Sequence, residues 1–309
     1  MSTLVFFHPI CIEHDPGEYH PERPDRLRAV VAALKGHGFE ALSWREAPQA
    51  KREDIERVHG RAYIDQVFES VPKRGHLHLD PDTVLSPASG EAALRAAGAA
   101  CAAVDAVMKG EATNAFCAVR PPGHHAEADQ AMGFCLFNNV AIAALHARAV
   151  HGLQRIAVVD FDVHHGNGTQ HSFERDPDLF YGSSHQWPAY PGTGLTDETG
   201  VAHNVANAPL PPEAGSEEFR HGYTATILPA LRRFRPDFLI ISAGFDAHER
   251  DPLAQIRLET DDYAWVTREL LAVARDCAQD RVVSCLEGGY DLQALAESAA
   301  VHVRELMRA

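Results

Sequence analysis

The 309-residue chain has no C-x-x-C pair, no run approaching the roughly 20 apolar residues needed to span a bilayer, and few cationic side chains. Its six cysteines (Cys11, Cys101, Cys117, Cys135, Cys277 and Cys285) stand apart, several inside apolar stretches where a free thiol behaves as a small hydrophobe. A reduced, cytoplasmic setting fits that usage. The N-terminal "STLVFFHPI" lacks a basic segment and its apolar run is too short for a signal peptide, so the expectation is a soluble protein with no membrane partner. Lys and Arg number 28 against 43 Asp and Glu, a formal net charge of −15, which argues against a nucleic-acid surface built from basic stripes. An acidic surface can favour cationic substrates or serve solubility alone.

What is present is alternation. Short apolar runs recur at Leu4 to Phe7, Ala115 to Val119, Ile156 to Val159, Leu179 to Tyr181, Phe238 to Ile241 and Val282 to Leu286. Each is too uniformly apolar for a half-exposed strand, so they read as buried parallel strands. Helical patterns lie between them: "PDRLRAVVAALKG", Ile55 to Val71, Glu91 to Met108, Asn139 to Val150, Glu217 to Phe234, Asp261 to Cys277 and Leu292 to Met307. Small side chains in "GEAALRAAGAACAAVDAV" point to close helix packing. Thr260 ahead of two aspartates reads as an N-cap, and Pro229 is expected to bend the helix that holds it. With no internal repeat and no linker, residues 1–309 form one expected α/β domain, a parallel sheet flanked by helices.

The polarity is concentrated where these strands end. "RPPGHH", "DFDVHHGNG", "SAGFD" and "EGGY" each follow a predicted strand, and ligands of open parallel sheets bind beyond the carboxyl ends of the strands. Asp162 and His164, two apart on extended chain, project the same way and suit one metal ion. Asp246 at another strand end supplies a third donor, leaving a position open for water as catalytic zinc requires. Gly166 and Gly168 are expected to let the backbone turn tightly. His124 and His125 follow a stiff Pro-Pro-Gly loop that either holds two imidazoles over the ion or lets one bond backbone. Tyr290 reads as core or catalytic. Phe134 beside Gly133, Tyr190 and Leu253 read as an apolar channel mouth or as plain packing, and Asp82 as a substrate contact or an acidic turn residue.

In this order and spacing, "RPPGHH", "DFDVHHGNGTQ", "AGFD" and "LEGGY" resemble the zinc-dependent histone deacetylase and acetylpolyamine amidohydrolase family. The likeness runs from "HPERPDRL" at His20 to "LEGGYDL" at Leu286, and Asn167 looks like the class II branch, where class I usually has aspartate. The resemblance implies an arginase-deacetylase fold, with Asp162, His164 and Asp246 as zinc ligands and His124 and His125 as the tandem histidines. By the same match, Tyr290 polarises the carbonyl, and Asp160 and Asn167 back the histidines. It also implies potassium, one ion using Asp160, backbone oxygens of Asp162, His164 and Ser184, and the Ser183 hydroxyl. If Asp160 pairs with His124, an imidazolium is favoured there, while Asn167 leaves His125 free to shuttle a proton.

The implied activity is hydrolysis of an acetylated lysine, or a related small acetylated amine, to free amine and acetate. An acetylpolyamine amidohydrolase is the alternative within the family; there a glutamate often guards the mouth, and "AHERDPLAQ" aligns Leu253 with it. A binuclear ureohydrolase would need further carboxylates, yet Gly166 and His248 stand two residues after His164 and Asp246. A silent acyl-lysine-binding module would not need Tyr290 and both tandem histidines.

Overall fold

The computed structural model describes residues 2–309. The strands are β1 (Thr3–Phe7), β2 (Ser43–Glu46), β3 (Leu77–His78), β4 (Val84–Leu85), β5 (Asn114–Cys117), β6 (Ile156–Asp160), β7 (Leu179–Gln186), β8 (Val205–Leu210), β9 (Phe238–Ala243) and β10 (Val282–Leu286). Eight of them form one sheet in the order β2-β1-β5-β10-β9-β6-β7-β8, every neighbouring pair parallel, while β3 and β4 make a small antiparallel hairpin. The four strands that precede the polar motifs, β5, β10, β9 and β6, are consecutive at the centre of that order. Their carboxyl ends therefore open onto one place.

The helices are α1 (Ile10–Glu13), α2 (Asp25–Leu34), α3 (Arg52–Ile55), α4 (Arg61–Glu69), α5 (Ser89–Met108), α6 (Asn139–His151), α7 (Asn167–Phe173), α8 (Ser216–Gly222), α9 (Leu228–Phe234), α10 (Thr260–Cys277) and α11 (Leu292–Arg308). One layer packs α5 and α6 together over the sheet; another runs from α2 through α11 and α10 to α9. The central strands are buried along their whole length, as a parallel sheet covered on both faces requires. The alanines of α5 are mostly buried, which agrees with close packing. All six cysteines are free, and among the described residues no helix is long and apolar enough to cross a membrane.

Several local expectations need correction. The pattern from Ile55 to Val71 is two helices, because Gly60 is extended (φ −65°, ψ 142°) and its N–H goes to Ala128 O at 2.8 Å instead of into a helix. The segment holding Pro229 is α8, a single π turn at Tyr223–Ile227, and α9. Proline lacks the N–H that would have closed a regular turn there, so the ladder widens rather than merely bending. Glu259, not Thr260, caps α10, and its N–H donates to the Asp262 carboxylate at 3.0 Å. Edge strands β2 and β8 carry no uniform apolar run. Ser43–Glu46 is largely exposed, and Pro209 is tolerated in β8 because that strand has only one neighbour.

Beneath the crevice lies a buried charge cluster. Glu22, Arg26 and Arg120 are all fully buried. The Glu22 carboxylate accepts from Arg26 at 2.7 Å and from the Arg120 guanidinium at 2.7 Å. Burial alone would raise the Glu22 pKa, but Arg120, His14 and Arg26 hold it well below the usual carboxylate range. The remaining donors reach backbone: Arg26 binds Gly289 O and Glu287 O, both at 2.5 Å, and Arg120 binds Cys11 O at 2.8 Å and His14 O at 3.0 Å. One carboxylate thus fastens the chain before α2 to the loops after β5 and β10. Glu22→Gln should strand two buried guanidiniums and lower the unfolding free energy by about 3–5 kcal/mol. Denaturant titration checks this, and a loss under about 1 kcal/mol, the size of a surface ion pair, would contradict it.

Candidate active site

Asp162 and His164 follow β6, and Asp246 follows β9, the neighbouring strand. His164 Nδ1 lies 3.2 Å from Asp162 Oδ1 and 3.0 Å from Asp246 Oδ2, and the three residues' ligand atoms all fall within 4.8 Å of one another. Backbone donors aim the carboxylates: Gly288 N–H donates to Asp162 Oδ2 at 2.8 Å and Val163 N–H to Asp246 Oδ1 at 2.8 Å. A Cβ on Gly288 would stand 2.3 Å from Asp246 Oδ2 and 2.6 Å from Asp162 Oδ2, so only glycine leaves that face of the cradle open. Burial and the Asp162 charge push the Asp246 carboxyl up, a repulsion that a divalent cation between the two would relieve. One imidazole nitrogen and two carboxylates form a donor set that fits zinc.

Of the two adjacent histidines in "DFDVHH", only His164 faces this cradle. His165 turns away, its Nδ1 2.7 Å from Thr193 Oγ1 and its Nε2 2.8 Å from Gln170 Oε1, and so ties down the loop that carries Tyr190. Gly166 has φ −77° and thus no need of a tight glycine turn. Its requirement is space, since a Cβ there would lie 2.5 Å from Asp160 Oδ2.

The tandem histidines sit on the loop after β5, their ring centroids 3.9 Å apart. Neither Nδ1 is given to backbone. His124 Nδ1 pairs with Asp160 Oδ2 at 3.0 Å, and His125 Nδ1 with Asn167 Oδ1 at 2.8 Å. For His124, burial opposes the charged form, but Asp162 and Asp160 outweigh it and raise the pKa to about 10. For His125, burial is reinforced by the charges of His124 and His164, which drives its pKa well below the ordinary value. Two neighbouring imidazoles are thereby pushed in opposite directions, one toward the cation by two aspartates and the other toward the neutral form by burial and its cationic neighbours.

Asp160 is fully buried and also accepts the Tyr181 hydroxyl at 3.1 Å. The β6–β7 register sets it beside Ser183, whose Oγ lies 2.9 Å from His185 Nδ1; the next hydroxyl, Ser184 Oγ, is 3.4 Å from Tyr223 Oη.

Two carboxylates escaped the sequence reading. Glu287 Oε2 accepts Gly123 N–H at 2.7 Å and His124 N–H at 3.2 Å, and Ser242 Oγ donates to its Oε1 at 3.0 Å. Burial pushes its pKa up to about 7 against the pull of His124. Asp251 Oδ2 accepts Tyr290 N–H at 2.7 Å while its Oδ1 accepts Leu253 N–H at 3.0 Å, so one side chain sets both. Burial and the Asp246 charge push it up to about 7. The only sequence signal was an acid beside each motif, in "LEGG" and "RDPL".

A cavity of 240 Å³ opens above His125 and His164, lined also by Asp82, Gly133, Phe134, Tyr190, Leu253 and Tyr290. All the residues read from sequence as channel candidates meet there. The Phe134 ring is edge-on to His20 at 4.8 Å and to Tyr290 at 5.9 Å; the Tyr190 ring stands 5.0 Å from His125 on the other side. Tyr190 and Leu253 are each 40% exposed, which puts them at the mouth. Asp82 is half-buried and accepts Gly133 N–H at 3.1 Å, so it braces the wall as well as facing the cavity. The Arg26 guanidinium lies 4.8 Å from the centroid of the Tyr290 ring. A larger surface cavity of 720 Å³, lined by Arg57, Arg148 and Asp178, lies away from the cradle and gathers no comparable chemistry.

The model of the histone deacetylase domain matches residues 20–306. The chain is 38% identical to Histone deacetylase 14, chloroplastic, of Arabidopsis thaliana over 99% of its own length and 77% of that protein. It is 39% identical to the histone deacetylase-like amidohydrolase of Pseudomonas aeruginosa, covering 93% of this chain and 81% of the relative. The crystal structure of the HDA15 HD domain superposes with a TM-score of 0.94 at 36% identity, covering all of this chain and 89% of that one. With the fold, the three-donor cradle and the paired histidines already in place, these likenesses assign the chain to the histone deacetylase family of deacetylases and amidohydrolases.

Proposed function

We propose that the chain is a zinc-dependent deacetylase that hydrolyses an N-ε-acetyl-lysine, or a related acetylated amine, to free amine and acetate. The observation that carries this reading is the pairing of His124 with Asp160 and of His125 with Asn167 beside the Asp162–His164–Asp246 cradle, at the floor of a narrow cavity. Held by those three residues, zinc supplies Lewis-acid polarisation of the amide carbonyl and lowers the pKa of water to about 7.

The side chains do the rest. His125 donates Nδ1–H to Asn167, which leaves Nε2 as its proton acceptor, and its depressed pKa keeps that nitrogen free at neutral pH. It takes a proton from the attacking water and returns one to the departing amine, so water and amide become acetate and amine with the proton conserved. His124, kept cationic by Asp160 and Asp162, offsets the negative charge that develops at the carbonyl. Burial raises the Tyr290 pKa well above the ordinary value, so its hydroxyl stays protonated and donates to the oxyanion. Phe134 and Tyr190 hold the methylene stem of the substrate. By the family resemblance, Asp160, the Asp162, His164 and Ser184 carbonyls and the Ser183 hydroxyl would hold a potassium ion where β6 and β7 end side by side, and the ion would steady the strand that carries the ligands.

The test is turnover of an acetyl-lysine peptide by zinc-loaded enzyme and by a Tyr290→Phe variant. The variant should keep its fold and zinc while kcat falls by roughly 10²- to 10³-fold. Near-normal turnover would make Tyr290 a wall residue, and an inactive wild-type enzyme would remove the reading altogether.

An apolar rim at Leu253 also sets a preference, because extra ammonium groups of a polyamine need acidic partners near the mouth. Leu253→Glu should shift the kcat/KM ratio toward acetylpolyamines by about 1–2 kcal/mol, roughly 5- to 30-fold at a half-exposed position. If the wild type already prefers acetylspermidine to acetyl-lysine peptides tenfold, Asp82 or the net negative field governs specificity instead.

A further inference from the structure

A second convergence of imidazoles and carboxylates lies between α5 and α6, apart from the catalytic crevice. Asp105 Oδ1 is 2.8 Å from His146 Nε2 and 2.7 Å from His151 Nε2, and the ligand atoms of these three residues all lie within 4.8 Å of one another. His146 Nδ1 points the other way, 2.8 Å from Asp54 Oδ1, and Asp54 is in turn paired with Arg57. That outer carboxylate matters, because a metal-ligating histidine characteristically gives its second ring nitrogen to a carboxylate, which fixes the ring and turns its other lone pair toward the ion.

The topology separates this cluster from the acetyl-amide chemistry. α6 begins at Asn138 and Asn139, next to the tandem histidines, and runs about 18 Å at 1.5 Å per residue before ending at His151. α5 likewise runs down toward the amino end of β5, away from the carboxyl ends that carry the motifs. The side chain of Asp105 is 33% exposed and that of His151 15%, so the cluster is reached from solvent on that side. Asp54 and His146 close the inner side, their side chains only 5% and 8% exposed.

We propose that Asp105, His146 and His151 form a second site for a divalent transition metal, of the zinc, nickel or cobalt class, that clips α5 to α6. Two imidazoles and one carboxylate match these metals; magnesium and calcium prefer all-oxygen sets. Displacing the proton shared between each imidazole and Asp105 replaces two hydrogen bonds with coordination to a cation and joins two long helices of one layer. Because the cluster is remote from the crevice, occupancy acts on stability and leaves turnover alone.

The experiment is equilibrium dialysis of the enzyme against micromolar zinc, followed by metal analysis, a melting curve and an acetyl-lysine assay. Wild type should carry one more zinc than His151→Ala, and also one more than Asp105→Asn. Added zinc should raise the melting temperature of wild type but not of the variants, and all three should turn over substrate alike. An Asp246→Asn variant should still take up the ion at the α5–α6 cluster, so failure of the catalytic reading leaves this result intact. Equal zinc content and equal melting response in wild type and both variants would overturn the proposal and leave a proton-bridged ion network in its place.

Discussion

Glu22 between Arg26 and Arg120 is the contact on which the working part of the molecule hangs. A lone carboxylate or guanidinium would not be tolerated at zero exposure; together, with backbone carbonyls filling the spare donors, they are. Arg26 sits in the first turn of α2, where the helix dipole disfavours a cation, so its place there depends on Glu22. Each arginine then leads to a site loop. Arg120 opens the segment that ends in His124 and His125; Arg26 holds the carbonyls on either side of Gly288, and Tyr290 follows. Loops are usually the mobile part of an α/β fold, and here the loops that carry the chemistry are fixed from beneath by charge.

The same logic of unequal partners recurs nearer the cradle. His124 and His125 have the same side chain, adjacent positions and nearly equal burial, yet Asp162 and Asp160 favour the cation on one, while the other, facing neutral Asn167, is pushed toward the neutral form by burial and its cationic neighbours. A pair with two aspartates would tend to hold both histidines charged and remove the acceptor. Glu287 and Asp251 extend the pattern outward, binding backbone N–H groups of the histidine loop and of Tyr290. Their raised pKa values are the cost of burying acids whose work is to orient peptide groups.

The strands and the cradle were legible in the sequence because both are local signals. Apolar runs at β5, β6, β9 and β10 announce buried strands, and the polarity beyond each run marks the carboxyl end of the sheet. Asp162 and His164 are two residues apart, and only Asp246 had to be brought from another strand end. Edge strand β2 was missed because its exposed side chains leave no apolar pattern, and β8 because Asn207 and Pro209 interrupt a run that is nonetheless mostly buried. Glu22, Arg26 and Arg120 carried no local sign of burial: Glu22 and Arg120 are 98 residues apart, and Arg26 finds its carbonyl acceptor 263 residues away. Charged residues at a helix start read as surface until the chain is folded. Gly166 was read for its flexibility, whereas what the site needs there is the missing methyl group beside Asp160.

The central claim is that Asp162, His164 and Asp246 hold one ion that makes the pocket hydrolytic. It is tested most directly by metal analysis of wild type and Asp246→Asn, prepared identically and assayed together on an acetyl-lysine peptide. The account predicts that the variant carries one equivalent of zinc fewer than wild type and hydrolyses no substrate. Unchanged zinc content, or deacetylation persisting without that ion, would contradict it.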